Sequence, residues 1–159
     1  MSTKSMQQSK SEFPAVLPFP AGADNGSIDC LIVAADIHPD DHVMVIGRQL
    51  SAHLVALAHC GCQSATGGDP DSLYMRKDPA DVAWITGVAK IEGRVASAVL
   101  HMEGLRLVVI ELTATQSMGR LRAFLRQLRD AGLVRQSYRR AADRLLVTAH
   151  RLERAQWAA

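Results

Sequence analysis

The chain has 159 residues, 48% hydrophobic and 21% charged, the profile of one globular domain with a single core. No apolar run reaches the ~18 residues of a membrane span, the polar start Met1–Lys10 lacks a secretory h-region, and three cysteines make no disulfide framework, so a reducing bacterial cytoplasm is the expected setting. Net charge is +2, but residues 1–116 hold 8 Lys/Arg against 13 Asp/Glu, net −5, whereas 117–159 hold 10 Arg against 3 acids, net +7.

Residues 1–27 are rich in Ser, Gln, Pro, Gly and Ala and bury too little to offset their ordering entropy, which predicts a mobile tail before a domain at 28–159. Ser27 is placed to cap a helix over Ile28–Ile37, stopped by His38-Pro39. The two histidines and two aspartates of His38-Pro39-Asp40-Asp41-His42 resemble metal ligands in composition, but a Pro-Asp turn accounts for them, and no metal is expected.

Val43-Met44-Val45-Ile46-Gly47 reads as a strand buried on both faces, ending in a glycine that offers positive φ or a close ligand approach. A helix over Arg48–Cys60 follows without a gap, with Leu50, Leu54, Val55, Leu57 and Ala58 as its covering stripe. Gly61 is its natural C′ residue, and Cys60 and Cys62 read as small buried thiols.

Gln63–Gly68 is a weak strand, Leu73–Lys77 a connection with room for a vestigial one, and Asp81–Thr86 a clear strand closed by Gly87. A helix over Ile91–Met102, the turn Glu103-Gly104 and the strand Leu105–Leu112 follow. A helix over Met118–Ala131 is capped by Ser117 and stopped by Gly132; strands Leu133–Arg139 and Arg144–His150 then form a hairpin. Strands alternating with helices before a hairpin predict an α/β fold: a three-layer Rossmann-like sandwich, mostly parallel, with an antiparallel C-terminal hairpin.

This order resembles the class I S-adenosylmethionine-dependent methyltransferases over residues 38–152. Residues 39–47 resemble the family's lead-in and first strand. Gly61-Cys62 with Ala65-Thr66-Gly67-Gly68-Asp69 resembles its second strand, Asp81–Gly87 its fourth, and Ala131-Gly132-Leu133 with Asp143–Arg151 its closing turn and last strand. The resemblance implies S-adenosylmethionine as cofactor, bound around Gly47, Gln49, Asp69, Pro70, Thr86 and Gly87, with Asp69 accepting from the ribose diol. An Asp before Pro70 also serves as a turn cap, and both readings stay open.

The departures are specific. Only the first glycine of the family's G-x-G-x-G stands in Gly47-Arg48-Gln49-Leu50-Ser51, and 11 residues separate Asp69 from Asp81, too few for the family's third strand and its helix. No catalytic residue can be named; Glu111, near the end of the fifth strand, is the nearest acid. The acceptor, a small molecule or a protein, is unknown.

A contrasting reading is a catalytically inactive interaction module using the basic C-terminal surface. Arg122, Arg126 and Arg129 share one helix face opposite Leu121, Phe124, Leu125 and Leu128, and with Arg135, Arg139 and Arg140 they suit an acidic partner or nucleic acid. Codon bias toward arginine explains the same composition. A dinucleotide such as NAD fits poorly, because the glycine triplet that admits a pyrophosphate is missing. An edge strand within 133–150 leaves room for a homodimer.

Overall fold

The computed structural model describes residues 17–18, 28–47, 50–69, 79–87, 93–113, 118–141 and 144–152. In chain order the elements are β1 (Leu17–Pro18), α1 (Ile28–Ala34), β2 (His42–Ile46), α2 (Ser51–His59), β3 (Ser64–Gly68), β4 (Val82–Ile85), α3 (Gly93–Leu100), β5 (Leu107–Thr113), α4 (Met118–Asp130), β6 (Arg135–Ala141) and β7 (Arg144–His150).

The strands form one sheet in the order β1-β6-β7-β5-β4-β2-β3. β3, β2, β4 and β5 run parallel; β7 inserts antiparallel between β5 and β6. This is the expected mostly parallel sheet with an antiparallel C-terminal hairpin. One pairing was not anticipated. Leu17–Pro18, inside the segment read as a tail, pairs in parallel with Arg139 and Arg140, so part of β6 has a partner on its outer side. At the opposite side, β3 is the outermost strand among the described residues, and the proposed vestigial strand at 73–77 lies outside them.

Strand alternation sends side chains to two half-cores. Val43, Val45, Val82, Trp84, Leu107 and Val109 face one side with Leu31, Ile32 and Ala35 of the α1 region and Ala56 and Leu57 of α2. Met44, Ile46, Ala83, Ile85, Val108 and Ile110 face the other with Val95, Ala96 and Val99 of α3 and Leu121, Phe124, Leu125 and Leu128 of α4. Helices on both faces give the three layers. Burial of β2, β4 and most of β5 on both faces explains why these strands read as continuous apolar runs rather than alternating ones.

Local chemistry sets the boundaries. α1 ends at Ala34, before the Pro39 signal, because Asp36 takes a left-handed conformation at φ 60° and turns the chain back; the amide of Ile37 then donates to the carbonyl of Ile32. Gly61 (φ 82°) and Gly132 (φ 95°) stop α2 and α4 as their sequence positions predicted. In each case the residue after the glycine donates into the last turn, Cys62 to Leu57 at 3.0 Å and Leu133 to Leu128 at 2.9 Å. α2 runs from Ser51, with Arg48 and Gln49 of the expected helix outside the described residues, and its buried face is His53, Ala56 and Leu57; Val55 is 54% exposed and Ala58 is exposed too. Cys60 is likewise exposed and Cys62 half-buried, both as free thiols, so the reading of two buried thiols is corrected. Partial desolvation raises both thiols above their ordinary pKa, reinforced at Cys60 by the neighbouring Asp29 carboxylate.

Candidate functional site at the carboxyl edge of the sheet

Parallel strands end together, so their register decides which loops meet. Ile46 of β2 pairs with Gly68 of β3 on one side and Ile85 of β4 on the other. Gly47, Asp69 and Thr86 therefore stand side by side where the three strands leave the sheet. The amide of Gly47 donates to the Gly68 carbonyl at 3.2 Å and that of Thr86 to the Ile46 carbonyl at 2.9 Å, carrying the ladder one residue past the strands. Asp69 is exposed at this tip. Gly87, with φ 62°, turns the chain outward after Thr86. Gln49 and Pro70 lie outside the described residues.

Gly47 is required for a reason the sequence did not show. Its φ is not in the left-handed region that was anticipated. Instead, a Cβ built there would lie 2.0 Å from the Thr86 carbonyl oxygen. The glycine lets the β4 tip close onto the β2 tip, and the approaching backbone is the chain's own. Leu50 fills the space beside it: a Cβ on Gly67 would fall 2.9 Å from the Leu50 Cδ1, and one on Gly47 3.2 Å from its Cδ2. An apolar side chain thus occupies the notch between the two glycine-bearing strand ends.

Beneath these tips lies a buried polar cluster. Glu111, on β5, points to the α2 face and accepts from three side chains. The His53 Nε2–H donates to its Oε2 at 2.7 Å, the Thr86 hydroxyl donates to the same oxygen at 3.0 Å, and the Arg144 Nη1 donates to Oε1 at 2.6 Å. Glu111, His53 and Thr86 are all buried. Burial alone would raise the Glu111 pKa, but the bonds from His53 and Thr86 and the charge of Arg144 outweigh it and hold the carboxyl below its ordinary value. Glu111 is an anion held by donors from α2, β4 and β7. Thr86 turns its hydroxyl inward to this anion, leaving its backbone and Gly87 to form the tip.

Sequence reasoning missed His53 and Arg144. The available signal for His53 was its place on the helix: it lies three residues from Leu50 and four from Leu57, on the buried stripe. It also packs edge-on against Trp84, with ring centroids 5.2 Å apart. Trp84 is fully buried core. The Nδ1 of His53 and the Nε1 of Trp84 are buried without a hydrogen-bond partner.

The turn at 38–42 is structural. The Asp41 carboxylate accepts from the His38 amide at 2.7 Å and from Arg106 through two nitrogens, Nε at 3.0 Å and Nη2. Among the described residues no group of three or more His, Cys, Asp or Glu could hold a metal ion. No helix among them is long and apolar enough to cross a membrane.

No protein-family model and no curated protein matches the chain. Solved structures do. The protein-(glutamine-N5) methyltransferase (release factor-specific) of Alicyclobacillus acidocaldarius subsp. acidocaldarius DSM 446 matches with a TM-score of 0.51 at 15% identity, over 81% of this chain and 93% of that one. EvdMO1 also matches with a TM-score of 0.51, at 10% identity, over 80% of this chain and 41% of its own. The chain has the class I methyltransferase fold. At these identities the likeness is one of architecture. Within that methyltransferase-type sheet, Gly47, Asp69 and Thr86–Gly87 occupy the carboxyl edge of the parallel strands, where ligands of open α/β sheets bind.

Proposed function

We propose that the protein binds S-adenosylmethionine at the Gly47–Asp69–Thr86 edge and acts as a methyltransferase whose acceptor approaches the tip of β4. The observation that carries this reading is the register that sets the exposed carboxylate of Asp69 beside Gly47 and one strand from Gly87. A carboxylate there has the geometry to accept both hydroxyls of a ribose diol, a charge-assisted interaction. Leu50, seated over Gly47 and Gly67, offers an apolar surface beside it. S-adenosylmethionine would supply an electrophilic methyl group. The chain's part is to hold the ribose at Asp69 and to present the Thr86–Gly87 backbone where an acceptor can line up.

The tight Gly47–Thr86 contact bears on how much of the cofactor the notch admits. The glycine creates no empty cradle, so support for binding comes from the exposed rim at Asp69 and Gly87 rather than from a deep glycine loop. Free Cys60 and Cys62 support a reducing, cytoplasmic setting. The exposed Arg122, Arg126 and Arg129 of α4 support an acidic partner on a face separate from this edge.

Calorimetry with S-adenosylmethionine and S-adenosylhomocysteine tests the reading. The wild-type chain is expected to bind both at millimolar ligand. Asp69→Ala is expected to weaken binding about ten-fold or more, the loss of charge-assisted hydrogen bonds. Absence of heat for both ligands in the wild type removes the proposal.

A further inference from the structure

Arg144 opens β7 in register with Thr113, the last residue of β5, and so stands at the same carboxyl edge as Gly47, Asp69 and Gly87. Its single bond to Glu111 is monodentate, from Nη1 to Oε1 at 2.6 Å, and its side chain remains 34% exposed. A guanidinium carries five N–H donors in a rigid fork, so one bond to a buried acceptor leaves donors for a second, solvent-side acceptor. The anchor is itself fixed: His53 and Thr86 hold the other oxygen of Glu111 from α2 and from the β4 tip. The charge of Glu111 is thereby divided among three donors, and Arg144 is oriented before any ligand arrives.

The position of this cation along the edge carries the argument further. From β4 the sheet runs through β2 to β3 and Asp69 on one side, and through β5 to β7 and Arg144 on the other. The acceptor for sugar hydroxyls and the donor for an anion thus flank the β4 tip from opposite sides. Arg144 Nη1 and the Thr86 hydroxyl hold opposite oxygens of the same Glu111 carboxylate, at 2.6 and 3.0 Å, so the guanidinium stands one carboxylate away from the β4 tip.

We propose that Arg144 is an anion-recognition residue, and that the molecule docking at the β4 tip carries a carboxylate or phosphate placed to meet the guanidinium across Glu111 from that tip. That this molecule is the methyl acceptor rests on the methyltransferase reading; the anion site itself does not. A small acceptor with one anionic group matches this arrangement. The Arg144 fork pairs with two oxygens of that group while Glu111 holds it from behind.

Amide-resolved NMR titration of the cofactor-free protein with inorganic phosphate, and separately with glutarate, tests the site. Saturable shifts are expected at Thr113, Arg144 and Leu145. The tighter of the two probes identifies the anion class, phosphorylated or carboxylic. Arg144→Gln is expected to weaken binding about ten-fold or more. That variant also leaves Glu111 short of a partner, so the double variant Arg144→Met, Glu111→Gln neutralises both members of the pair and is expected to show the same loss with a cooperative melt. Unchanged binding in either variant, or shifts centred on Arg122, Arg126 and Arg129 instead, overturns the proposal. A protein that holds phosphate at Arg144 but no S-adenosylhomocysteine keeps this site and refutes the methyltransferase reading. One that binds S-adenosylhomocysteine but neither anion does the reverse.

Discussion

The two edges of the sheet are built from similar charges put to different ends. At the amino edge, Asp41 accepts from Arg106 and from the His38 amide, Asp81 accepts from the His42 amide at 2.8 Å, and Arg151 donates to the Leu105 carbonyl at 2.8 Å. Those side chains mostly tie off strand ends and loops, and the knot is closed. At the carboxyl edge, Glu111 gathers side chains from α2, β4 and β7, while the Nδ1 of His53 stays unpartnered and Arg144 stays partly exposed. The difference lies in the bonds rather than the exposure: Arg106 and Arg144 are 31% and 34% exposed, but Arg106 gives three bonds, to Asp41 and the Asp36 carbonyl, where Arg144 gives one to Glu111.

The sharpest way to break the carboxyl edge is Gly47→Ala. The added methyl meets a backbone carbonyl, which cannot rotate aside, so a loss of more than about 3 kcal/mol is expected in urea unfolding. Next comes Glu111→Ala, which removes the common acceptor of His53, Thr86 and Arg144; about 3–5 kcal/mol is expected, the cost of breaking a buried ion pair. The wild type adds a pH signature. The Glu111 pKa is lowered in the folded chain below the ordinary 4.5. Its contribution is therefore fully present above that value and lost as pH falls through the lowered one. Urea midpoints across the acid range are expected to fall steeply for the wild type, and Glu111→Gln should flatten part of that limb.

Asp41→Ala at the opposite edge sharpens the contrast with a smaller effect. It deletes an acceptor for Arg106 and the His38 amide, and about 2 kcal/mol is expected. Anion and cofactor binding should be untouched, because no described bond links Asp41 to the carboxyl edge. Weakened ligand binding in this variant would show that the two edges are coupled.

The fold was legible in the sequence because its signals are local. Continuous apolar runs such as Val43–Ile46 and Leu107–Ile110 need no partner to be read, and Gly61 and Gly132 stop helices by their own backbone freedom. The register that unites Gly47, Asp69 and Thr86 followed from the strand order and was anticipated through the family resemblance. The Glu111 cluster was not legible. Its members are separated by 58, 25 and 33 residues, and nothing in local spacing pairs a helix histidine with a strand glutamate. The role of Gly47 was misread for a related reason. Its constraint comes from the Thr86 carbonyl, a non-local backbone contact that periodicity does not encode.

The place of β7 also bears on how the chain assembles as it is synthesised. Arg144–His150 follows every other strand in sequence but lies inside the sheet, between β5 and β6. Until it emerges from the ribosome, β5 presents an unpaired edge and Glu111 lacks its guanidinium. β7 both joins the halves of the sheet and brings the guanidinium to Glu111. A nascent chain stalled before residue 144 would expose the apolar rim of β5 as a template for mispairing.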